Sequence, residues 1–241
     1  MGTEFMNILS MENITKAFGE SVLFENTSFY LQEGEKIGII GINGTGKSTL
    51  LKMMAGLEEP DEGSITMANH VICSYLPQNP LFSEKDSVVQ AVLKKCAESG
   101  SSAADMGRWE TEAKSMLTKL GVTDFEALCG TLSGGQRKRL ALVAALLMPS
   151  DILILDEPTN HLDHEMADWL EEQLKMRTGA VIMVTHDRYF LDSVSTRIVE
   201  IDKGKIYSYE ANYSGYLELK AAREESALAS ERKRIIRKQL I

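Results

Sequence analysis

Cysteine is scarce in this chain, three in 241 residues, and Cys73, Cys96 and Cys129 form no CxxC pair and have no histidines at metal-ligand spacing. A disulfide framework and a zinc site are both disfavoured, which suits a reducing compartment. Long apolar runs are lacking too: the longest, residues 140–148 and 179–184, fall well short of the roughly 20 that span a bilayer, so no membrane insertion is expected. The amino terminus has no basic segment followed by an apolar one, which argues against export and for a cytoplasmic location. Positive charge is also in deficit. The formal net charge of -9 speaks against indiscriminate nucleic-acid binding by the whole surface. The basic residues present are gathered at one end, with seven Lys/Arg against three Glu over residues 220–241. A basic end on an acidic body suggests a local anionic partner, although a solvated helix face is compatible with the same composition.

Residues 1–5, MGTEF, precede a second methionine and read as an expression scar outside the fold. Strand-like runs follow at residues 7–14 and 28–31. The apolar run at 35–40 then leads through glycines into helical spacing at 48–55, a strand, loop and helix in succession. Pro60, Asp61 and Gly63 mark a turn, and a strand pair is expected to run through residue 76, closed by Pro77. Residues 84–130 differ in character: DSVVQAVLKKCAE and ETEAKSMLTKLGV have helical periodicity, separated by a Gly/Ser/Ala loop at 99–104. This region reads as a helical subdomain inserted between two parts of a core, 6–83 and 131–212. In the second part a helix at 133–148 precedes DILIL at 151–155, a run apolar enough for a strand buried on both faces. A helix at 164–176, a strand at 180–185 and a helix at 188–194 repeat the unit, so a mostly parallel sheet is expected. RIVEIDKGKIYSYE closes it as a hairpin, and residues 213–241 are helical and charged.

Gly41 to Ser48 match GxxxxGK[ST], after a predicted strand and opening a predicted helix, the context that this motif requires. The loop runs through Asn43, Gly44, Thr45 and Gly46. Such glycines let successive N–H groups converge on an anion, and Lys47 can reach the β- and γ-phosphates of a nucleotide. Ser48 then offers its hydroxyl to Mg²⁺ and Thr49 is placed for the α-phosphate. Asp156 ends the buried strand, where α/β sheets bind ligands, and suits a Mg²⁺ held through water. Glu157, one residue on, suits a general base for an attacking water.

Taken with Gln78 in YLPQN, LSGGQ at 132–136, LILDEPTNHLD at 153–163 and VTHD at 184–187, GINGTGKST resembles the ATP-binding cassette superfamily in order and spacing, over about residues 8–210. The resemblance implies an α/β P-loop NTPase cassette: a RecA-like core, an N-terminal antiparallel β subdomain and an inserted helical subdomain. It implies ATP and Mg²⁺ as ligands and ATP hydrolysis as the reaction. Gln78 would contact Mg²⁺ and the attacking water, and His186 the γ-phosphate. Asp163 would cross between subunits, and Phe18 would lie under adenine, although Phe18 could equally be a core residue. Ser133, Gly134, Gly135 and Gln136 would present a helix N-terminus to ATP held by a second, opposing cassette. RYFLDSV after VTHD, and the Tyr-rich KGKIYSYEANYSGYLELKAAREE, resemble the soluble ABC-F proteins, in which a helical linker joins two cassettes and reaches into the ribosome. By that resemblance the chain is an N-terminal cassette with the start of the linker at 213–241, and the partners are rRNA and tRNA, met by Arg232, Lys233, Arg234, Arg237 and Lys238. It implies work as a translation factor or in antibiotic-resistance ribosome protection. The alternative is the ATPase subunit of an ABC membrane transporter, whose mark would be an apolar groove near residues 78–82.

Overall fold

The computed structural model describes residues 6–19, 21–98 and 106–239, with side chains through residue 230; the expected scar at 1–5 and the loop at 99–104 lie outside the described residues. Two sheets organise the chain. A six-stranded sheet has the order β5(Cys73–Leu76), β6(Ile152–Asp156), β7(Ala180–Val184), β3(Lys36–Ile40), β8(Arg197–Asp202), β9(Lys205–Tyr209). All its pairs are parallel except the closing β8–β9 hairpin. β1(Asn7–Phe18), β2(Ser21–Gln32) and β4(Glu62–Met67) form a separate antiparallel sheet in the order β2-β1-β4.

The central strands are apolar throughout because both faces are covered. Leu153 and Leu155 pack into the cluster that contains α2(Val88–Ala97), α3(Met106–Lys119) and α4(Gly134–Leu147). Ile152 and Ile154, pointing the other way as period two requires, join the cluster that contains α1(Lys47–Met54) and the antiparallel sheet. α5(His164–Met176) joins β6 to β7, and α6(Arg188–Val194) carries the chain from β7 across β3 to β8. Register places Asp156 beside Val184 and Val184 beside Ile39. The C-terminal ends of β3, β6 and β7 thus come level, and the loops after them share one edge of the sheet.

Two expectations are corrected. Residues 21–27 are strand, not a connection: β2 pairs with β1 from Phe18–Ser21 to Asn7–Gln32. Register shifts interrupt this ladder, and Asn13 and Asn26 have positive φ (54° and 45°), so extra residues are absorbed by bulges that hide the period-two pattern. Second, the expected strand pair ending at Leu76 does not exist. Residues 62–67, assigned in part to a turn, form β4 and pair with β1, whereas β5 pairs with β6. Gly63 shows why the turn signal misled: its φ is 92°, and a Cβ there would sit 2.4 Å from the Glu12 carbonyl oxygen, so this glycine serves close strand approach.

α7(Tyr213–Gln239) is fastened to β8 by one buried carboxylate. Glu200, 5% exposed, accepts from the Tyr209 and Tyr216 hydroxyls (3.1 and 3.0 Å), Lys220 Nζ (2.5 Å) and Arg223 (3.2 Å). Burial alone would raise this carboxyl, but donation from Lys220 and Tyr216 outweighs it and holds Glu200 below its ordinary value.

Candidate functional site

After β3 the chain turns through Gly44 and Gly46, with φ of 85° and 96°, before α1 begins at Lys47. Lys47 Nζ folds back to donate to the carbonyls of Gly41 (2.8 Å) and Ile42 (3.1 Å), and the Thr45 hydroxyl donates to the same Ile42 carbonyl (2.9 Å). Burial lowers the Lys47 amine from its ordinary value, against the opposing pull of Glu157 and Asp156. A Cβ at Gly46 would meet the fully buried Phe24 ring at 2.9 Å. Gly46→Ala therefore combines a left-handed backbone with overpacking and should destabilise the fold by about 2–4 kcal/mol. Urea denaturation measures it, and an unchanged midpoint would show that the loop has room to spare.

Asp156 ends β6 and is 1% exposed. Its carboxyl is raised by burial, partly offset by the Ser48 hydroxyl and by Lys138, and Oδ2 has no hydrogen-bond partner. Glu157 takes φ of 55°, with its N–H donating to the Val184 carbonyl at 2.8 Å, so the chain swings at once out of the strand. The side chain is buried yet Oε2 has no partner, while Oε1 lies 3.4 Å from Nε2 of the exposed His186. Burial raises the Glu157 carboxyl, and the nearby His186 acts against that shift. Buried acceptors left unpaired are costly, so two in one place mark a site prepared for a proton or a cation.

Asn43, Gly44, Gly46, Lys47, Ser48, Thr49, Gln78, Asp156, Glu157 and His186 all line one cavity of about 430 Å³. Val184, the first residue of VTHD, lines it too, as does Leu23, which belongs to no motif. The remaining candidates lie elsewhere. Thr45 is spent on its own loop. Phe18 is 53% exposed with Lys16 Nζ 5.3 Å from its ring centre, which removes the core alternative for this residue. Ser133 caps α4, accepting from Gln136 N–H (3.2 Å) while the Gln136 side chain accepts from Ser133 N–H (2.9 Å). Gly134 faces open space, and a Cβ at Gly135 would touch His161. Asp163 caps α5 by accepting from Met166 N–H at 2.9 Å.

One lysine of consequence was not among the sequence candidates. Lys138, in the second turn of α4 and 4% exposed, donates to the carbonyls of Pro77 (2.8 Å), Gln78 (3.3 Å) and Asp156 (2.6 Å). Burial pushes its amine down to about 8, although Asp156 and Glu157 pull the other way.

A profile described as ABC transporter matches residues 24–160, and a second with the same description matches residues 199–238. The Uncharacterized ABC transporter ATP-binding protein YfmR of Bacillus subtilis (strain 168) is 42% identical, the match covering 98% of this chain and 43% of that protein. The Energy-dependent translational throttle protein EttA of Mycobacterium tuberculosis (strain CDC 1551 / Oshkosh) is 37% identical, over 90% of this chain and 44% of that protein. The chain thus spans less than half the length of these relatives. Among solved structures, the dimeric, post-hydrolysis ATP-binding cassette MJ0796 bound to ADP and Pi superposes with a TM-score of 0.73 at 23% identity, covering 84% of this chain and 98% of that one. At that identity the likeness establishes the cassette fold.

Proposed function

Because the chain belongs to the ABC transporter ATP-binding cassette family, we propose that its cavity takes MgATP and that the chain is a hydrolytic cassette of an ABC-F protein working on the ribosome. The observation that carries the hydrolytic reading is the pair of buried, unpartnered carboxylate oxygens on Asp156 and Glu157, facing one cavity with Lys47 and Ser48. Oxygen donors fit a hard cation. Among the described residues no group of three His, Cys, Asp or Glu could cage a metal, which suits Mg²⁺, an ion held by one or two protein groups together with phosphates and water. Ser48 and Asp156 would hold it, with Gln78 at its edge, and when bound it would offset phosphate charge. Lys47 and the amides of residues 43–49 bind the phosphates. Glu157 orients a water and takes its proton as the oxygen attacks the γ-phosphorus and the bond from that phosphorus to the β–γ bridging oxygen breaks, ADP leaving with the electron pair, and His186, against Glu157, steadies the developing charge.

Gly134 in open space, at the start of a capped helix, is free to approach the nucleotide of a second cassette. That second cassette comes from the same polypeptide or from another copy. The Mycobacterium tuberculosis relative is named a translational throttle protein, which supports a translational role and, with it, a place in the cytoplasm. α7 carries Arg232, Lys233, Arg234, Arg237 and Lys238 toward rRNA and tRNA; their side chains lie outside those described. A second reading, the ATPase subunit of a membrane transporter, is favoured by the apolar groove of about 460 Å³ beside Pro77, Pro80, Phe82 and the 89%-exposed Leu81. No helix among the described residues is long and apolar enough to cross a membrane, so in that reading the membrane-spanning part lies outside these residues. Sedimentation through a sucrose cushion decides between them. With a non-hydrolysable ATP analogue the protein should pellet with ribosomes, and with ADP it should not; capture of a membrane protein without ribosome binding would install the transporter reading instead.

A further inference from the structure

The carbonyls at the ends of β5 and β6 pose a hydrogen-bonding problem. The two strands run parallel in register through Leu76–Leu155, and beyond that level the chains part. Pro77 and Gln78 lie beyond the end of β5, so the carbonyls of Pro77, Gln78 and Asp156 have no β5–β6 ladder to join. An ammonium has three N–H donors and no acceptor. Lys138 brings that donor set from α4 and meets all three oxygens, at 2.8, 3.3 and 2.6 Å. The match of three donors to three acceptors leaves nothing over.

We propose that Lys138 is a positioning residue for hydrolysis, tying the segment that carries Gln78 to the segment that carries Asp156 and Glu157, and both to the helix that begins at Ser133. The inference rests on the hydrolytic reading of the site. Its basis is the connectivity of the tether. Gln78, Asp156 and Glu157 line one cavity but arise from segments nearly 80 residues apart, whose only shared ladder ends one residue short of Asp156. The same lysine is five residues from the cap of α4. A shift of that helix, such as the approach of a second cassette to its N-terminus would produce, therefore reaches the carboxylates through a single side chain.

The chain contains a matched control. Lys36, 7% exposed, also spends its ammonium on backbone carbonyls, those of Arg177 (2.7 Å) and Gly179 (2.5 Å). It sits at the start of β3, the end of the sheet opposite the cavity. Loss of either lysine strips a buried amine from carbonyls, so both Lys138→Met and Lys36→Met should lower the melting temperature. Only Lys138→Met should lower kcat, by about 10²-fold, the scale of a roughly 1 Å misplacement of reacting groups. KM for MgATP should change far less than kcat, because the phosphate loop is untouched, and Lys138→Arg should recover part of kcat. In case Lys138→Met does not fold, Lys138→Gln removes the charge and one donor and should fall between the two. Equal loss of kcat in Lys36→Met and Lys138→Met, or wild-type kcat in Lys138→Met, would overturn the proposal.

Hydrogen exchange in the nucleotide-free protein separates failure of the tether from failure of the hydrolytic reading. Lys138→Met should speed exchange in peptides spanning residues 76–80 and 155–158, and Lys36→Met should not. If the parent protein hydrolyses no ATP yet these peptides respond, the hydrolytic reading falls and the positioning role falls with it, leaving Lys138 a structural tether. If they do not respond, the tether itself is refuted.

Discussion

Replacing Glu157 by Gln is expected to slow ATP hydrolysis by about 10²- to 10⁴-fold, the usual contribution of a positioned general base, while MgATP affinity is retained. The substitution keeps the shape of a side chain that is 5% exposed and removes only its ability to take a proton. Burial raises the Glu157 carboxyl, with His186 opposing, so the folded chain holds this proton more tightly than the unfolded one. A carboxyl with a raised folded pKa lends stability that is complete below the unfolded value and is lost as pH climbs through the folded value. The working carboxylate appears over that same window. The acidic limb of the kcat/KM profile, which reports the free chain, should consequently lie above the ordinary carboxylate range, and Glu157→Gln should abolish it. Steady-state hydrolysis across pH measures both effects, and an unchanged rate in the variant would take Glu157 out of the chemistry.

Lys47→Ala should weaken MgATP binding by about 10- to 10²-fold, the worth of one hydrogen-bonded charge, with little change in melting temperature. In the structure the ammonium rests on the Gly41 and Ile42 carbonyls, so binding moves an existing cation from its own loop onto phosphate. Because burial already lowers this amine, its charge is poorly solvated before the anion arrives. A fluorescent-nucleotide titration reads the affinity, and equal affinity in the variant would leave the backbone amides as the whole of the phosphate site.

What the sequence made legible is what local pattern can carry. DILIL reads as a doubly buried strand because both of its faces are apolar, and the structure sends Ile152 and Ile154 to one cluster and Leu153 and Leu155 to the other. The glycine loop, Asp156 and Glu157 were readable for the same reason: each sits at a strand end that its own neighbours define. What stayed hidden depends on partners far along the chain. The bulges at Asn13 and Asn26 break the alternation that would have marked β2, and no local feature of residues 62–76 says that its two strands join different sheets. Lys138 is the sharpest case. Its acceptors are 61, 60 and 18 residues away, and within its own helix it is one more cation in QRKR. The one available hint was that Lys138 lies one turn before Ala141 and Leu142, both buried, which places it on the inward face.

Glu200 gives α7 a fulcrum. Its four donors come from β9 and the first three turns of the helix, and β8 is the immediate neighbour of β3, the strand that ends in the phosphate loop. The helix beyond runs unbroken, 27 residues in all, or about 40 Å at the α-helical rise. Held at its base, it is a lever: about 24 Å of helix lie beyond Arg223, at the helical rise of about 1.5 Å per residue, so a tilt of about 5° at Glu200 would sweep the far end through roughly 2 Å. A small movement at β8 would thereby be magnified at a distance, and the stiffness of that gearing is set by Glu200 together with the Ser214–Asp192 hydrogen bond and the stacking of Arg223 on the Tyr207 ring.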